Sequence, residues 1–263
     1  MERRMTSPNK AIPLNSRRAE RLLLPILFPP RNDFPSRVRC LKHIAYFPKL
    51  NIAFNRVKKN TSSTSIGLLS YLEKGEMAHA MAVKGSTPHI DELGLRGLFL
   101  LRRALRIVVV RDPYSRLLSA FLDKFRSEDY RAKYGRFDLN RSGFQDFLAF
   151  LENGGLRSNQ HWGLQTEQIA LPIEEYQETL TFSGFPNNLL DVLTPIAPHV
   201  RDLAPRVSGP DAGAPSPTRA TEKLAAFYDT STLGRVDELF VKDLQIEPIA
   251  DEAHKTVRSL WAV

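Results

Sequence analysis

Leu105-Arg106-Ile107-Val108-Val109-Val110-Arg111-Asp112-Pro113-Tyr114-Ser115-Arg116-Leu117-Leu118-Ser119-Ala120-Phe121 is the stretch that decides the fold. Its first six residues are apolar apart from Arg106 and rich in β-branched side chains, the pattern of a strand buried on both faces in a parallel sheet. The run stops at Arg111-Asp112-Pro113, and proline suits the first turn of a helix, where its missing N–H would be unpaired anyway. Leu117, Leu118, Phe121, Leu122 and Phe125 then recur on one stripe, which predicts an amphipathic helix. A strand feeding directly into a helix is the building unit of an α/β fold, whose ligands gather at the carboxyl ends of the strands.

A second unit of the same kind lies upstream. Residues 50–57 (LNIAFNRV) alternate toward a β-strand, and Ile66, Leu68, Leu69 and Leu72 recur at helical spacing. Between them stands Lys58-Lys59-Asn60-Thr61-Ser62-Ser63-Thr64-Ser65, in which nothing is acidic and every side chain can donate a hydrogen bond. A turn between a strand and a helix aims backbone N–H groups and the positive end of the helix dipole at one point. A lysine and hydroxyls added there make a nest for a phosphate or sulfate. Taken alone, the same residues equally describe a polar loop with a Ser/Thr N-cap. They do not form G-x-x-x-x-G-K-[ST]: no glycine lies between Asn51 and Ser65, and the lysine precedes the hydroxyls. With no clear carboxylate to hold Mg²⁺, a P-loop kinase or NTPase is the weaker reading.

The rest of the chain predicts one domain of 38–263. Residues 1–37 are Arg- and Pro-rich without a sustained period, which predicts an irregular basic arm. Helix, loop and helix are expected over 75–104, a helix at Phe144–Leu151, a strand at Tyr176–Phe182 and a helix at Asn188–Leu193. Residues 207–218 (VSGPDAGAPSPT) predict a flexible loop. Beyond Thr221, Leu224, Phe227 and Tyr228, then Val236, Leu239, Phe240 and Leu244, form helical stripes that read as core. No internal repeat is visible. The fold class expected is α/β, a P-loop-like central parallel sheet flanked by helices.

Composition restricts the function classes. The 263 residues carry 37 Lys and Arg against 29 Asp and Glu, a net charge of +8, which favours anionic partners. No run interleaves aromatics with basic residues as single-strand nucleic-acid readers do, so nucleic acid is not expected as a partner. Cys40 is the only cysteine; it excludes an internal disulfide and a Cys-rich zinc site and suits a reducing compartment. The run 22–28 (LLLPILF) is too short and too broken by Pro25 to span a bilayer, so no membrane anchor and no metal are expected.

The turn 55–65 (NRVKKNTSSTS) resembles the 5′-phosphosulfate loop of Golgi-type carbohydrate sulfotransferases, whose usual form is roughly R-V-P-K-[TA]-[AG]-[SC]-[ST]-[ST]. Its nearest form is that of the uronyl and heparan 2-O-sulfotransferases, with Lys58 at the usual proline. Val110-Arg111-Asp112-Pro113-Tyr114-Ser115-Arg116-Leu117-Leu118-Ser119 is similar to the same family's 3′-phosphate sequence, V-R-[DN]-P-x-x-R-L-x-S. His161-Trp162-Gly163-Leu164-Gln165 resembles the H-W-x-P-Q stretch of the chondroitin enzymes, with Leu164 at the proline position. The resemblance runs in patches from about Asn51 to about Pro248.

That resemblance implies a sulfotransferase that moves a sulfuryl group from 3′-phosphoadenosine-5′-phosphosulfate (PAPS) to a hydroxyl of an anionic carbohydrate, without a metal. Lys59, Asn60, Thr61, Ser62, Ser63 and Thr64 would hold the 5′ end of the donor, and Arg111 and Ser119 the 3′-phosphate. Ser119 lies eight residues past Arg111, about two helical turns along. Lys59 would meet the leaving phosphate oxygen. His89, 22 residues before Arg111, sits where the 2-O-sulfotransferases carry their catalytic histidine and is the expected base, against the plainer reading of an exposed loop histidine after Pro88. His161 and Gln165 are candidates for acceptor contact, against nucleotide contact or simple packing as a Trp-centred hinge, and His79 reads as structural. Arg116 could instead only pair with Asp112 or Asp123. A catalytically silent nucleotide- or glycan-binding relative is the remaining alternative. The single cysteine and missing anchor imply a soluble, cytoplasmic enzyme of bacterial type.

Overall fold

The computed structural model of the chain describes residues 14–31, 34–75, 87–203 and 218–261. Four strands form one sheet: β1 (Ile44–Phe47), β2 (Ile52–Asn55), β3 (Leu105–Val110) and β4 (Glu178–Thr181), in that spatial order. β2, β3 and β4 run parallel, and β1 returns antiparallel beside β2. The expected α/β class is therefore observed, with a sheet that is mostly parallel.

Helices cover both faces. Helix α1 spans Leu14–Leu27, α2 Ser62–Lys74, α3 Gly94–Arg103, α4 Pro113–Lys124, α5 Glu128–Tyr134, α6 Arg141–Glu152 and α7 Asn187–Leu193. Four more close the chain: α8 (Leu224–Phe227), α9 (Thr230–Leu239), α10 (Val241–Leu244) and α11 (Glu247–Trp261). Successive strand residues alternate between the faces. Phe54, Ile107 and Val109 pack with Ile66 and Leu69 of α2 and with Leu190 of α7. Ala53, Val108 and Val110 pack on the opposite face with Leu98 and Leu101 of α3 and with Leu24 and Phe28. Because both faces are covered, every residue of β2 is buried, and the expected alternation within 50–57 does not extend to its exposure. A further aromatic cluster, with Phe121, Phe125, Phe147 and Trp162 at its centre, joins α4 to α6 and the C-terminal helices.

Three expectations change. Residues 14–27 form α1 and are not an irregular arm: Leu24 and Phe28 are fully buried against α3, and that apolar stripe outweighs Pro25 near the helix end. β1 was not expected; all four of its residues are buried, so no period-two pattern marks it. Arg106 lies in the central strand without breaking it. Its guanidinium folds back to the carbonyls of Leu101 and Arg102 at the end of α3, at 3.0 Å each, and so satisfies acceptors that a helix C-terminus leaves open. His79 and residues 207–217 lie outside the described residues.

Candidate active site

β2 and β3 end side by side, with Asn55 in register with Val108, so the turns that follow them share one edge of the sheet. The turn after β2 adopts left-handed backbone twice, at Lys59 (φ 69°) and Thr61 (φ 54°). Neither is glycine, so each costs roughly 1–2 kcal/mol that surrounding contacts must offset. Alternation of this kind swings successive N–H groups toward one concavity. Helix α2 starts immediately afterwards at Ser62, and the N–H groups of its first turn have no intrahelical acceptor. Thr61 makes no side-chain cap, so the simple Ser/Thr N-cap does not explain the turn. Ser62 Oγ donates to the Val57 carbonyl at 2.5 Å, Thr61 Oγ1 lies 3.2 Å from Ser65 Oγ, and Ser63 and Thr64 are half-buried on the first turn of α2.

The offsetting contacts come from β3, α4 and the segment 160–168. Arg111 donates through Nη1 to the Lys59 carbonyl at 3.0 Å, and Arg116 through Nε to the Lys58 carbonyl at 3.1 Å. Gln168 Oε1 accepts from the Lys58 N–H at 2.9 Å. Asn60 is 1% exposed and turns its amide inward, donating to the Val109 carbonyl at 2.9 Å and to Gln165 Oε1 at 2.6 Å. Its side chain therefore shapes the turn and does not face an anion.

Arg111 emerges where β3 ends. Its guanidinium lies 3.7 Å from the centroid of the Phe182 ring, and its Nε donates to Ser115 Oγ at 2.8 Å. It thus reaches over the first turn of α4, one turn short of Ser119. Asp112 caps α4 by accepting from the Ser115 N–H at 2.7 Å, as the Asp-Pro pair predicts. Ser119 is 5% exposed and its Oγ accepts from Thr218 Oγ1 at 3.2 Å. Burial lowers the Arg111 pKa to about 10, with Asp112 opposing that shift; the group stays cationic at neutral pH.

Gln165 is corrected from acceptor contact to internal clasp. It is fully buried: Oε1 also accepts from the Arg111 N–H at 3.2 Å, and Nε2 donates to the Arg111 carbonyl at 2.7 Å. Asp243, likewise fully buried, accepts from the backbone N–H groups of Gln165 and Thr166 at 2.8 and 2.9 Å. Arg116 pairs with neither Asp112 nor Asp123. Besides Lys58 it donates to the carbonyls of Gly163 at 2.8 Å and Gln160 at 3.3 Å, and Asp243 is the carboxylate that favours its charge. One buried network therefore ties the turns after β2 and β3 to each other and to α10.

Cations collect around the turn. Lys59 Nζ lies 3.2 Å and Lys124 Nζ 3.0 Å from Asp123 Oδ2. Burial lowers the Lys59 pKa, and the charge of Asp123 opposes the shift. Burial also pushes the Asp123 carboxyl up, but Lys59 and Lys124 together hold it below its usual value. Asp123 is a site residue the sequence did not single out in this role; the one available signal is its position one turn beyond Ser119 on the same helix. His161 stands in the same cationic corner. Burial, then the charges of Lys124, Lys58 and Lys59, bring its pKa down to about 3, and its Nδ1 is buried without a partner.

His89 lies across β1 from the turn. It bridges to Ala45 and places its Nδ1 2.5 Å from the Lys42 carbonyl. The sheet brings it to the carboxyl end of β2, because Ile44 at the start of β1 pairs with Asn55. A second histidine not singled out by sequence, His43, is buried beside it. Burial and the charges of Lys42, Arg56 and Lys58 lower its pKa to about 4. Among the described residues, no group of three or more His, Cys, Asp or Glu side chains is placed to hold a metal ion, and no helix is long and apolar enough to cross a membrane.

The domain is thus an α/β fold with a mostly parallel sheet, a lysine-headed polar turn after one strand and a buried arginine after the next. The model of the sulfotransferase family matches residues 42–190, more than half of the chain, and the chain belongs to that family. The match takes in Lys59, His89, Arg111, Ser119 and His161. No curated protein and no solved structure matches significantly. Sulfuryl transfer is accordingly the general chemistry of this protein.

Proposed function

We propose that the protein takes its sulfuryl group from PAPS and delivers it to a hydroxyl of a carbohydrate. The observation that carries the donor assignment is the left-handed turn at Lys59 and Thr61, seated at a helix N-terminus and bonded through its carbonyl to Arg111. One end of a donor with two separate anionic groups fits that turn, and its second phosphate fits the edge formed by Arg111 and Ser119. In the reaction the acceptor oxygen bonds to sulfur, the sulfur–oxygen bond to the 5′-phosphate breaks, and the acceptor proton must leave.

The chain's own groups divide that work. Lys59 meets the negative charge that grows on the leaving phosphate oxygen, the kind of interaction that strengthens in the transition state. His89 takes the acceptor proton. A carbonyl only accepts, so the contact to the Lys42 carbonyl places the imidazole proton on Nδ1 and leaves the Nε2 lone pair basic. The Glu92 carboxylate accepts from the His89 backbone N–H at 3.0 Å and fixes that residue at the head of its turn. Burial and nearby lysines keep His161 neutral, suited to line the acceptor side of the site.

Transfer of label from PAPS to a panel of neutral and acidic sugars and a simple phenol tests the acceptor class. Label on the phenol and on no sugar contradicts it. In the same assay His89→Ala should lower transfer by about 10²–10⁴-fold, with binding of the desulfated product, PAP, unchanged. Activity close to wild type in that variant would move the base elsewhere.

A further inference from the structure

Asp123 stands apart from the other carboxylates of the site. Asp112 accepts from the Ser115 N–H, and Asp243 from the N–H groups of Gln165 and Thr166; bonds to fixed backbone give both a structural task. Among the described residues, no backbone N–H or hydroxyl bonds to Asp123. Its Oδ2 is shared instead by two ammonium groups, Lys59 Nζ at 3.2 Å and Lys124 Nζ at 3.0 Å. The three side chains are 16–21% exposed, so the cluster is neither sealed in the core nor free in solvent.

The place of that oxygen gives it meaning. Lys59 heads the turn after β2, and Asp123 lies one helical turn beyond Ser119 on α4. Oδ2 therefore sits between the two parts of the chain that would hold the donor. Its surroundings are cationic: Lys58 and Lys59 come from the turn, Arg111 from the end of β3 and Lys124 from the end of α4. Burial and the lysines keep His161, from the segment 160–168, neutral, and Tyr130 of α5 presents only its ring, 5.2 Å from Lys124 Nζ. A carboxylate oxygen and a phosphate oxygen make the same charge-assisted bond to an ammonium. Two ammonium groups gathered on one mobile carboxylate oxygen are thus equally able to hold a ligand's oxygen in its stead.

We infer that Asp123 is an internal counterion that occupies the donor's anion position in the free protein and is displaced when the donor binds, and that Lys124 joins Lys59 as a second cation on the donor's 5′ end. The inference rests on the proposed PAPS donor and adds to it a competing group and a contact residue. Lys124 touches the ligand; Asp123 acts through the two lysines and is a positioning residue.

The test is calorimetric titration of the full chain with PAP, which needs no acceptor, in the wild type, Asp123→Asn and Asp123→Asn/Lys124→Ala. Asp123→Asn should bind PAP about three- to tenfold more tightly at neutral pH, because no ion pair has to be broken first. A carboxylate that merely props up the turn would give a loss. The gain should shrink as pH rises. Burial, Lys124 and Arg111 lower the Lys59 pKa and Asp123 opposes them, so without Asp123 the ammonium loses its proton at lower pH. Adding Lys124→Ala to Asp123→Asn should weaken PAP binding by about tenfold, the scale of one hydrogen bond to a charged group. An unchanged affinity there would mean that Lys124 only neutralises Asp123 and would overturn the second cation. Equal or weaker binding by Asp123→Asn overturns the counterion. Should that variant fail to fold, the wild type decides: PAP should raise the pKa of the Asp123 carboxyl, which the two lysines hold low in the free protein, and an unchanged value overturns the displacement. Tighter binding of inorganic pyrophosphate by Asp123→Asn, with no binding of PAP by the wild type, would remove the donor assignment and leave the displaced counterion standing.

Discussion

Lys59→Ala is expected to lower the rate of sulfuryl transfer at saturating PAPS by about 10²–10³-fold, the usual effect of removing one preorganised donor to a developing negative charge. The loss should fall on kcat more than on the donor KM, because the lysine's charge matters most when the bridging oxygen takes up charge. The structure gives a reason for the size of the effect. Lys59 is half-buried in a site ringed by Lys58, Lys124 and His161, where electrostatic interactions exceed those in water. Its partner Asp123 must then yield the ammonium to the donor. Lys59→Arg should not restore the rate, since a planar fork cannot reproduce a compact ammonium at that point. A rise in KM with kcat intact, measured with labelled PAPS, would reduce Lys59 to a binding residue.

Arg116→Ala should destabilise the fold by about 3–5 kcal/mol, the scale of leaving a buried charge uncompensated and buried carbonyls without their donor. Arg116 is fully buried, and its guanidinium joins the carbonyls of Lys58, Gly163 and Gln160. Without it those acceptors lose their donor, and Asp243 keeps a buried charge with its nearest cation gone. The turn after β2 also loses one of the contacts that offset its left-handed residues. Urea unfolding checks the value. If the alanine variant does not fold, Arg116→Lys retains the charge and should still lose stability, since it cannot span three carbonyls. A loss below about 1 kcal/mol in both variants would show that the network is dispensable.

Sequence was most informative where local chemistry and global position agree. Leu105–Val110 is a strand in both because a fully covered strand needs no alternation, and Asp112-Pro113 starts α4 because its cap and its fixed φ are local properties. The lysine and hydroxyls of the turn were legible for the same reason. Their backbone was not: Lys59 and Thr61 are left-handed without glycine, a conformation imposed by Arg111, Arg116 and Gln168 from 52 or more residues away. The pairing of Lys59 with Asp123 spans 64 residues and leaves no periodic trace. Gln165 was misread because an amide beside a tryptophan looks the same whether it faces a ligand or clasps two loops. Helix α1 was hidden by Pro25, although its buried stripe was present in Leu24 and Phe28.

The assignment of a PAPS-type donor to the edge formed by Lys59 and Arg111 is tested most directly by the melting temperature with PAP in the presence of a metal chelator. At PAP about a hundredfold above its Kd, the wild type should melt higher by on the order of 5 °C. Arg111→Ala, which removes the fork held over the first turn of α4, should show little or no shift. No shift in the wild type at millimolar PAP, or a shift that requires Mg²⁺ and ATP instead, would contradict the account.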